Sequence, residues 1–69
     1  MFVFKNIKLE ITDQFLKVTI AHDFLETIYF KQEQKRQFIR FFTTLVETAL
    51  LHPNSFKNYY LVMKDMLSD

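Results

Sequence analysis

The stretch IKLEITDQFLKVTI, residues 7–20, decides the fold of this 69-residue chain. Apolar and polar side chains alternate on both sides of Asp13-Gln14, a period of two that is typical of strands with one buried face. A tight turn at Asp13-Gln14 sets the register of a hairpin, in which Glu10 lies opposite Lys17 on the polar face. The apolar face then carries three cross-strand pairs: Ile11–Leu16, Leu9–Val18 and Ile7–Ile20. Because a slip of one residue would lose all of them, the pattern predicts a single register.

The next segment, AHDFLETIYFKQEQKRQF, fits two interpretations. In the first, the chain loops through residues 22–25 and forms a third strand over residues 26–30. Ile28 then lies opposite Val18, and the apolar face of the hairpin continues onto the new strand. Thr27 and Tyr29 join the polar face.

The second interpretation makes the same segment the start of one long helix over residues 24–51. Asp23 would be its N-cap, and Glu26 would complete a capping box. Polar residues would then interrupt the apolar stripe of this helix for two turns, which is costly. The pattern therefore favours the third strand, with a helix beginning near Lys31.

The segment over residues 31–51 has the apolar spacing of a helix. One stripe lies on the predicted core side: Phe38, Phe41, Phe42, Leu45 and Ala49. A second stripe lies about 100° further round: Ile39, Val46 and Leu50. We expect the first stripe to pack on the sheet and the second to pack on the last helix or on another copy of the chain.

Pro53 ends this helix near His52, because the residue before a proline avoids helical geometry. Asn54 or Ser55 can cap a last helix over residues 55–67, which folds back on the first because the connection is short. The whole chain, residues 1–69, is then one α+β domain. Its predicted architecture is a three-stranded antiparallel β-meander followed by two α-helices packed on one face, or βββαα.

Composition excludes several kinds of site. The chain has no Cys, so disulfides and thiolate metal sites are not available. It has no Gly, which excludes phosphate loops and nucleophile elbows that need glycine for tight backbone geometry. Without Gly, we expect positive φ angles at Asn or Asp residues, such as Asn6, Asp13, Asp23 and Asn54. The net charge of +1 is too small to indicate a polyanionic partner.

The first residues, MFVFKNIKLE, reach charge too early for a secretory signal, and no apolar run approaches the ~20 residues of a membrane span. We therefore expect a soluble, cytoplasmic protein that does not contact a membrane. A single short domain also fits an accessory protein of a virus or a mobile element.

No pattern indicates catalysis or metal binding. His22 and His52 lack the spacing of metal-binding pairs, and each lies near the end of an element, where a loop or cap role is typical. Asp23 and Glu26 are explained by capping, and two carboxylates without a pocket do not make an active site. We expect no enzymatic activity, no cofactor and no metal.

The aromatic N-terminus, MFVF, breaks the alternation of the hairpin. Phe2 and Phe4 occupy even positions, whereas the buried residues of the following strand are odd. Either a bulge near Lys5-Asn6 reverses the parity, or the rings point away from the core. We expect these rings to meet Phe24 and Leu25 at one end of the sheet, as a small apolar core or as an exposed interface.

A second candidate surface lies on the last helix. Tyr59 and Tyr60 precede Met63 and Met66 on one face, and Tyr and Met are enriched at protein interfaces. Leu61 and Val62 lie off that face, so the short helix is apolar on more than one side.

These features predict a small non-enzymatic protein–protein interaction module, a homodimer that acts as a regulator or inhibitor by occupying the surface of another protein. The alternative is nucleic-acid binding through the basic start of the first helix, by Lys31, Lys35, Arg36 and Arg40. Against it, Arg36 and Arg40 point about 120–140° away from the two lysines.

Overall fold

The computed structural model describes residues 1–67 and has an antiparallel sheet followed by two helices. The strands are β1 Phe2–Phe4, β2 Ile7–Ile11, β3 Phe15–Ile20 and β4 Phe24–Tyr29, paired in the order β1-β2-β3-β4. Helix α1 spans Lys35–Leu51 and helix α2 spans Phe56–Leu67, each preceded by a 3₁₀ turn, Gln32–Gln34 and Pro53–Ser55. The α+β class and the two helices confirm the prediction. The predicted number of three strands is wrong, because the N-terminus adds a fourth.

The central hairpin of β2 and β3 has the predicted register. Ile7 pairs with Ile20, Leu9 with Val18 and Ile11 with Leu16, and Glu10 lies opposite Lys17. The turn is closed by Thr12, whose hydroxyl oxygen accepts hydrogen bonds from the backbone N–H groups of Gln14 and Phe15 at 3.1 Å. A local side-chain bond of this kind stabilises a turn without requiring glycine.

Strand β1 is formed by the MFVF stretch, whose Phe residues at even positions did not fit the alternation of the following strand. A two-residue turn at Lys5-Asn6 pairs Phe4 with Ile7 and Phe2 with Leu9, so both Phe side chains share the face of the buried residues. The parity therefore reverses near Lys5-Asn6, as the first alternative expected, but a turn and not a bulge causes it. The second alternative, that the rings point away from the core, is wrong, because Phe2 packs against the core. Lys5 takes the positive φ of 54° that the turn needs.

Strand β4 confirms that a third strand follows the hairpin and excludes the long helix, but it spans Phe24–Tyr29 instead of the predicted residues 26–30. Its register differs from the prediction by two residues: Leu16 pairs with Ile28, and Val18 pairs with Glu26. The connection from β3 is only three residues long, and it begins at Ala21 with φ of 56°. A shift of two residues keeps every side chain on its predicted face, so Glu26, which has the parity of Ile28, stays on the apolar face and lies opposite Val18.

Both helices cover the same face of the sheet, here called the inner face. Helix α1 lies over β1 and β2, and α2 lies over β4, where the Tyr60 ring meets the Phe24 ring at 5.8 Å. The core between these layers consists of apolar side chains: Ile7, Leu9, Leu16, Val18, Ile20, Phe30, Phe38, Phe41, Leu45, Ala49, Phe56 and Tyr60. No described element covers the outer face of the sheet.

The helix ends follow the sequence signals in part. Helix α1 stops at Leu51, and the His52 N–H still donates to the Thr48 carbonyl at 2.7 Å. Pro53 therefore ends α1 where predicted. Ser55, one of the two residues expected to cap the last helix, directly precedes α2, and both Asn54 and Ser55 belong to the 3₁₀ turn that leads into it.

Candidate interaction surfaces

The protomer leaves many large apolar side chains in contact with water. Among residues 1–67 the exposed ones are Met1, Val3, Leu25, Tyr29, Ile39, Leu50, Leu51, Tyr59, Leu61, Val62 and Met66. Single exposed apolar residues are normal, whereas groups of them indicate contact with other molecules. Here they form groups on α1, on α2 and along β4.

The first group is the α1 ridge, formed by Ile39, Val46 and Leu50. Ile39 and Leu50 are about half exposed, and Val46 is partly buried against the core. Helix α2 packs on the other flank of α1, where the Phe41 ring lies 6.3 Å from the Tyr60 ring. Of the two coverings expected for this stripe, the last helix is therefore excluded.

The expected cluster of Phe2, Phe4, Phe24 and Leu25 does not form. Phe4 and Phe24 do lie in one row across the inner face, but Ile7 and Ile20 separate them. The sheet thus places the two Phe residues of β1 at one edge and Phe24 at the other. Phe2 and Phe24 pack partly buried against the core, while Leu25 lies exposed on the outer face.

The candidate residues of α2 have different positions. Tyr60 is fully buried and cannot belong to a surface, whereas Tyr59, Leu61 and Val62 are exposed. The Tyr59 ring stacks on the His52 ring at 4.7 Å, which gives His52 a packing role at the end of α1.

Glu26 forms an interaction that the sequence did not reveal. Its Oε1 accepts a hydrogen bond from the Tyr60 hydroxyl at 2.5 Å and another from the Lys64 ammonium at 2.7 Å. Glu26 lies on the inner face in both the predicted and the observed register, but the sequence did not indicate which side chains of α2 would lie over it. The only feature of the sequence that pointed to this interaction is the charge of Glu26 at an inward position of the strand.

The ionisation of this group follows from its contacts. Burial by itself raises the pKa of the Glu26 carboxyl, but hydrogen bonds from Lys64 and Tyr60 and the charge of Lys64 outweigh it and lower the pKa. Burial, and then the bond to Glu26, raise the pKa of the Tyr60 hydroxyl above its usual range. Glu26 is therefore a carboxylate and Tyr60 a neutral donor at neutral pH, and together with Lys64 they tie α2 to β4.

Three of the four basic residues of the nucleic-acid alternative line one shallow depression at the start of α1: Lys35, Arg36 and Arg40. The Lys35 ammonium lies 2.6 Å from Asp13 Oδ1 in the turn between β2 and β3, and the hydrogen bond and charge of Lys35 lower the pKa of that carboxyl. Arg36 and Arg40, together with Glu33, also line a shallow groove between α1 and α2. Lys31 is exposed ahead of the helix.

That groove has a volume of about 580 Å³. Its lining combines apolar side chains with polar ones at the start of α1: Phe41, Met63, Met66, Leu67, Thr44, Gln37, Glu33, Arg36 and Arg40. The described residues place no catalytic pair there, and the groove is an open cleft between helices.

Comparison with known proteins gives no relative: no family model, no curated protein and no solved structure matches the chain. None of the helices within residues 1–67 is long and apolar enough to cross a membrane. Over the same residues, no group of three His, Cys, Asp or Glu side chains lies together as metal ligands would.

Proposed function

We propose that this protein is a non-enzymatic protein–protein interaction module, a homodimer that acts as a regulator or inhibitor by occupying the surface of a partner protein. The observation that supports the proposal is the α1 ridge. Ile39, Val46 and Leu50 follow one another at helical spacing on the flank of α1 that α2 leaves uncovered. A rise of 1.5 Å per residue makes the ridge about 16 Å long.

A strip of this length suits a partner element with an apolar face of its own, such as an amphipathic helix laid alongside α1. Leu50 would be the anchor, because it lies at the end of the ridge and is 51% exposed. Association removes such side chains from water. Because Leu50 is already about half buried, its complete burial stabilises by about half of the ~1.5–3 kcal/mol expected for a fully exposed Leu.

Two adjacent leucines of α1 provide a matched test. Leu50 lies on the ridge, whereas Leu51, which is 73% exposed, lies about 100° round the helix from it. The immobilised wild type, Leu50→Lys and Leu51→Lys are compared for proteins retained from a lysate of the source cells. The proposal expects a protein that wild type and Leu51→Lys retain and Leu50→Lys loses. Equal retention by all three proteins, or a loss confined to Leu51→Lys, contradicts it.

A further inference from the structure

We propose that the free edge of β4 pairs with the same edge of a second copy, so that two protomers share one continuous eight-stranded antiparallel sheet. This inference rests on the proposed function, since it assigns the contact of the proposed homodimer. The proposed contact lies at the β4 edge of the sheet. The other edge is formed by β1, and α1 lies over that side of the sheet.

The edge of β4 has few of the features that normally prevent strand pairing. Exposed edges are usually short or carry Lys, Pro or an inward-pointing charge. Strand β1 is short, with three residues, but β4 has six, FLETIY, without Lys or Pro. Its one charged side chain, Glu26, is bound by Tyr60 and Lys64. Nothing among these six residues repels a second strand.

The backbone groups that face this edge can be identified from one hydrogen bond. The Phe30 N–H donates to the Gln14 carbonyl at 3.0 Å, toward β3. Because backbone groups alternate in direction along a strand, those of Leu25, Thr27 and Tyr29 point to the free edge. Within residues 1–67 no strand pairs with them.

Symmetry then selects the register. A two-fold axis perpendicular to the sheet keeps the inner faces of both copies on the same side of the shared sheet. The axis must pass beside one residue of β4, which then lies opposite the same residue of the second copy. An axis at Glu26 would place two carboxylates opposite each other, which is unfavourable. An axis at Thr27 pairs Thr27 with its copy and Leu25 with Tyr29 of the second copy. In this register the edge N–H and C=O groups of all three residues find partners.

The side chains beside this edge suit the same register. Leu25 and Tyr29 are exposed on the outer face, and each would cover its counterpart across the axis. On the inner face Leu61 follows Lys57 by four residues and precedes Lys64 by three, so it shares their flank of α2. Those lysines contact Phe24 and Glu26 of β4, and Leu61 of each copy therefore approaches the interface. A stable dimer buries at least about 1,200 Å², to which both the strand edge and this helix flank contribute.

The inference is tested with two matched surface residues. Leu25 and Val3 both lie on the outer face, on opposite edge strands, and are 62% and 63% exposed. Sedimentation equilibrium is measured for wild type, Leu25→Lys and Val3→Lys. We expect a dimer for wild type and Val3→Lys, and a dissociation constant at least about tenfold weaker for Leu25→Lys, because two cross-strand pairs are lost per dimer. A monomeric wild type, or equal dimerisation of all three proteins, overturns the inference.

A single-cysteine variant tests the register itself, since the chain has no Cys of its own. In a hydrogen-bonded antiparallel pair the Cα atoms are ~5.5 Å apart, which a disulfide can span. Thr27→Cys is expected to form a covalent dimer under mild oxidation, whereas Val3→Cys stays largely reduced. A wild-type dimer in which Thr27→Cys does not crosslink contradicts this register. Binding of a different protein by the α1 ridge would be unaffected, so the failures of the two proposals are distinguishable.

Discussion

Replacement of Tyr60 by Phe removes one hydroxyl and leaves the ring in the core. The hydroxyl donates to the Glu26 carboxylate at 2.5 Å, and hydrogen bonds to charged groups contribute about 1.5–3 kcal/mol. Glu26 keeps the bond from Lys64 at 2.7 Å, and its side chain is 29% exposed, so water can replace part of the loss. We expect Tyr60→Phe to lower the free energy of unfolding by ~1–2 kcal/mol at neutral pH.

Such a loss is large for a domain of this size, whose total stability is of the order of 3–10 kcal/mol. Urea denaturation followed by circular dichroism measures it, and a corresponding shift in Tm of ~4–8 °C per kcal/mol is expected. Tyr59→Phe is the control. The Tyr59 ring is half exposed and stacks on His52, so loss of its hydroxyl should change stability by less than ~0.5 kcal/mol.

The pH dependence separates the hydrogen bond from the packing. The pKa of Glu26 is lower in the folded protein than in the unfolded chain, where it is ~4.3. The unfolded chain therefore binds the proton first as the pH falls. The stability from the carboxylate is complete above ~4.3 and is lost as the pH falls through the folded pKa. The difference between wild type and Tyr60→Phe should shrink over this range. An equal difference at neutral and acidic pH would refute the assigned role of Glu26.

Three further predictions concern the core, the turns and the basic residues. Leu45→Ala should lower the free energy of unfolding, measured by denaturant titration, by ~2–5 kcal/mol because Leu45 is fully buried. The exposed control Leu51→Ala should lower it by less than ~0.5 kcal/mol, and similar losses for both variants would contradict the orientation of α1. Ala21→Gly should raise stability by up to ~1 kcal/mol, since its φ is 56°; a loss would contradict that conformation. A gel shift at low salt should show no nucleic-acid binding, and a salt-sensitive complex would support the nucleic-acid alternative.

The hairpin of β2 and β3 was predictable to the residue because one face is buried and any slip exposes it. Ile11, Leu16 and the intervening Asp13-Gln14 turn specify the register locally. Helix α1 was predictable for the same reason, since its apolar spacing and Pro53 fix its core side and its end.

The register of β4 could not be predicted, because two registers keep the apolar residues on the inner face. The choice depends on the length of the loop after Ile20, and that loop uses a positive φ at Ala21 that the residue type does not signal. The residue type does not signal the positive φ of Lys5 either, and for this reason the turn that forms β1 was not predicted. The expectation that Asn or Asp residues adopt the positive φ angles in a chain without Gly is wrong.

The contact between Glu26 and α2 depends on where α2 lies over β4, so no pattern in the sequence could identify it. An isolated charge on an inward position normally counts against a strand. Here Tyr60 and Lys64 provide the two donors that a partly buried carboxylate needs.

Amide hydrogen exchange of Thr27 tests the proposed association most directly. In a lone protomer the Thr27 N–H points to the open edge of β4 and exchanges rapidly at every protein concentration. If two copies pair at this edge, its protection rises with protein concentration together with that of Leu25 and Tyr29, while the amide of Val3 on the opposite edge strand stays unchanged. Rapid exchange of the Thr27 amide in a concentrated sample would contradict the pairing.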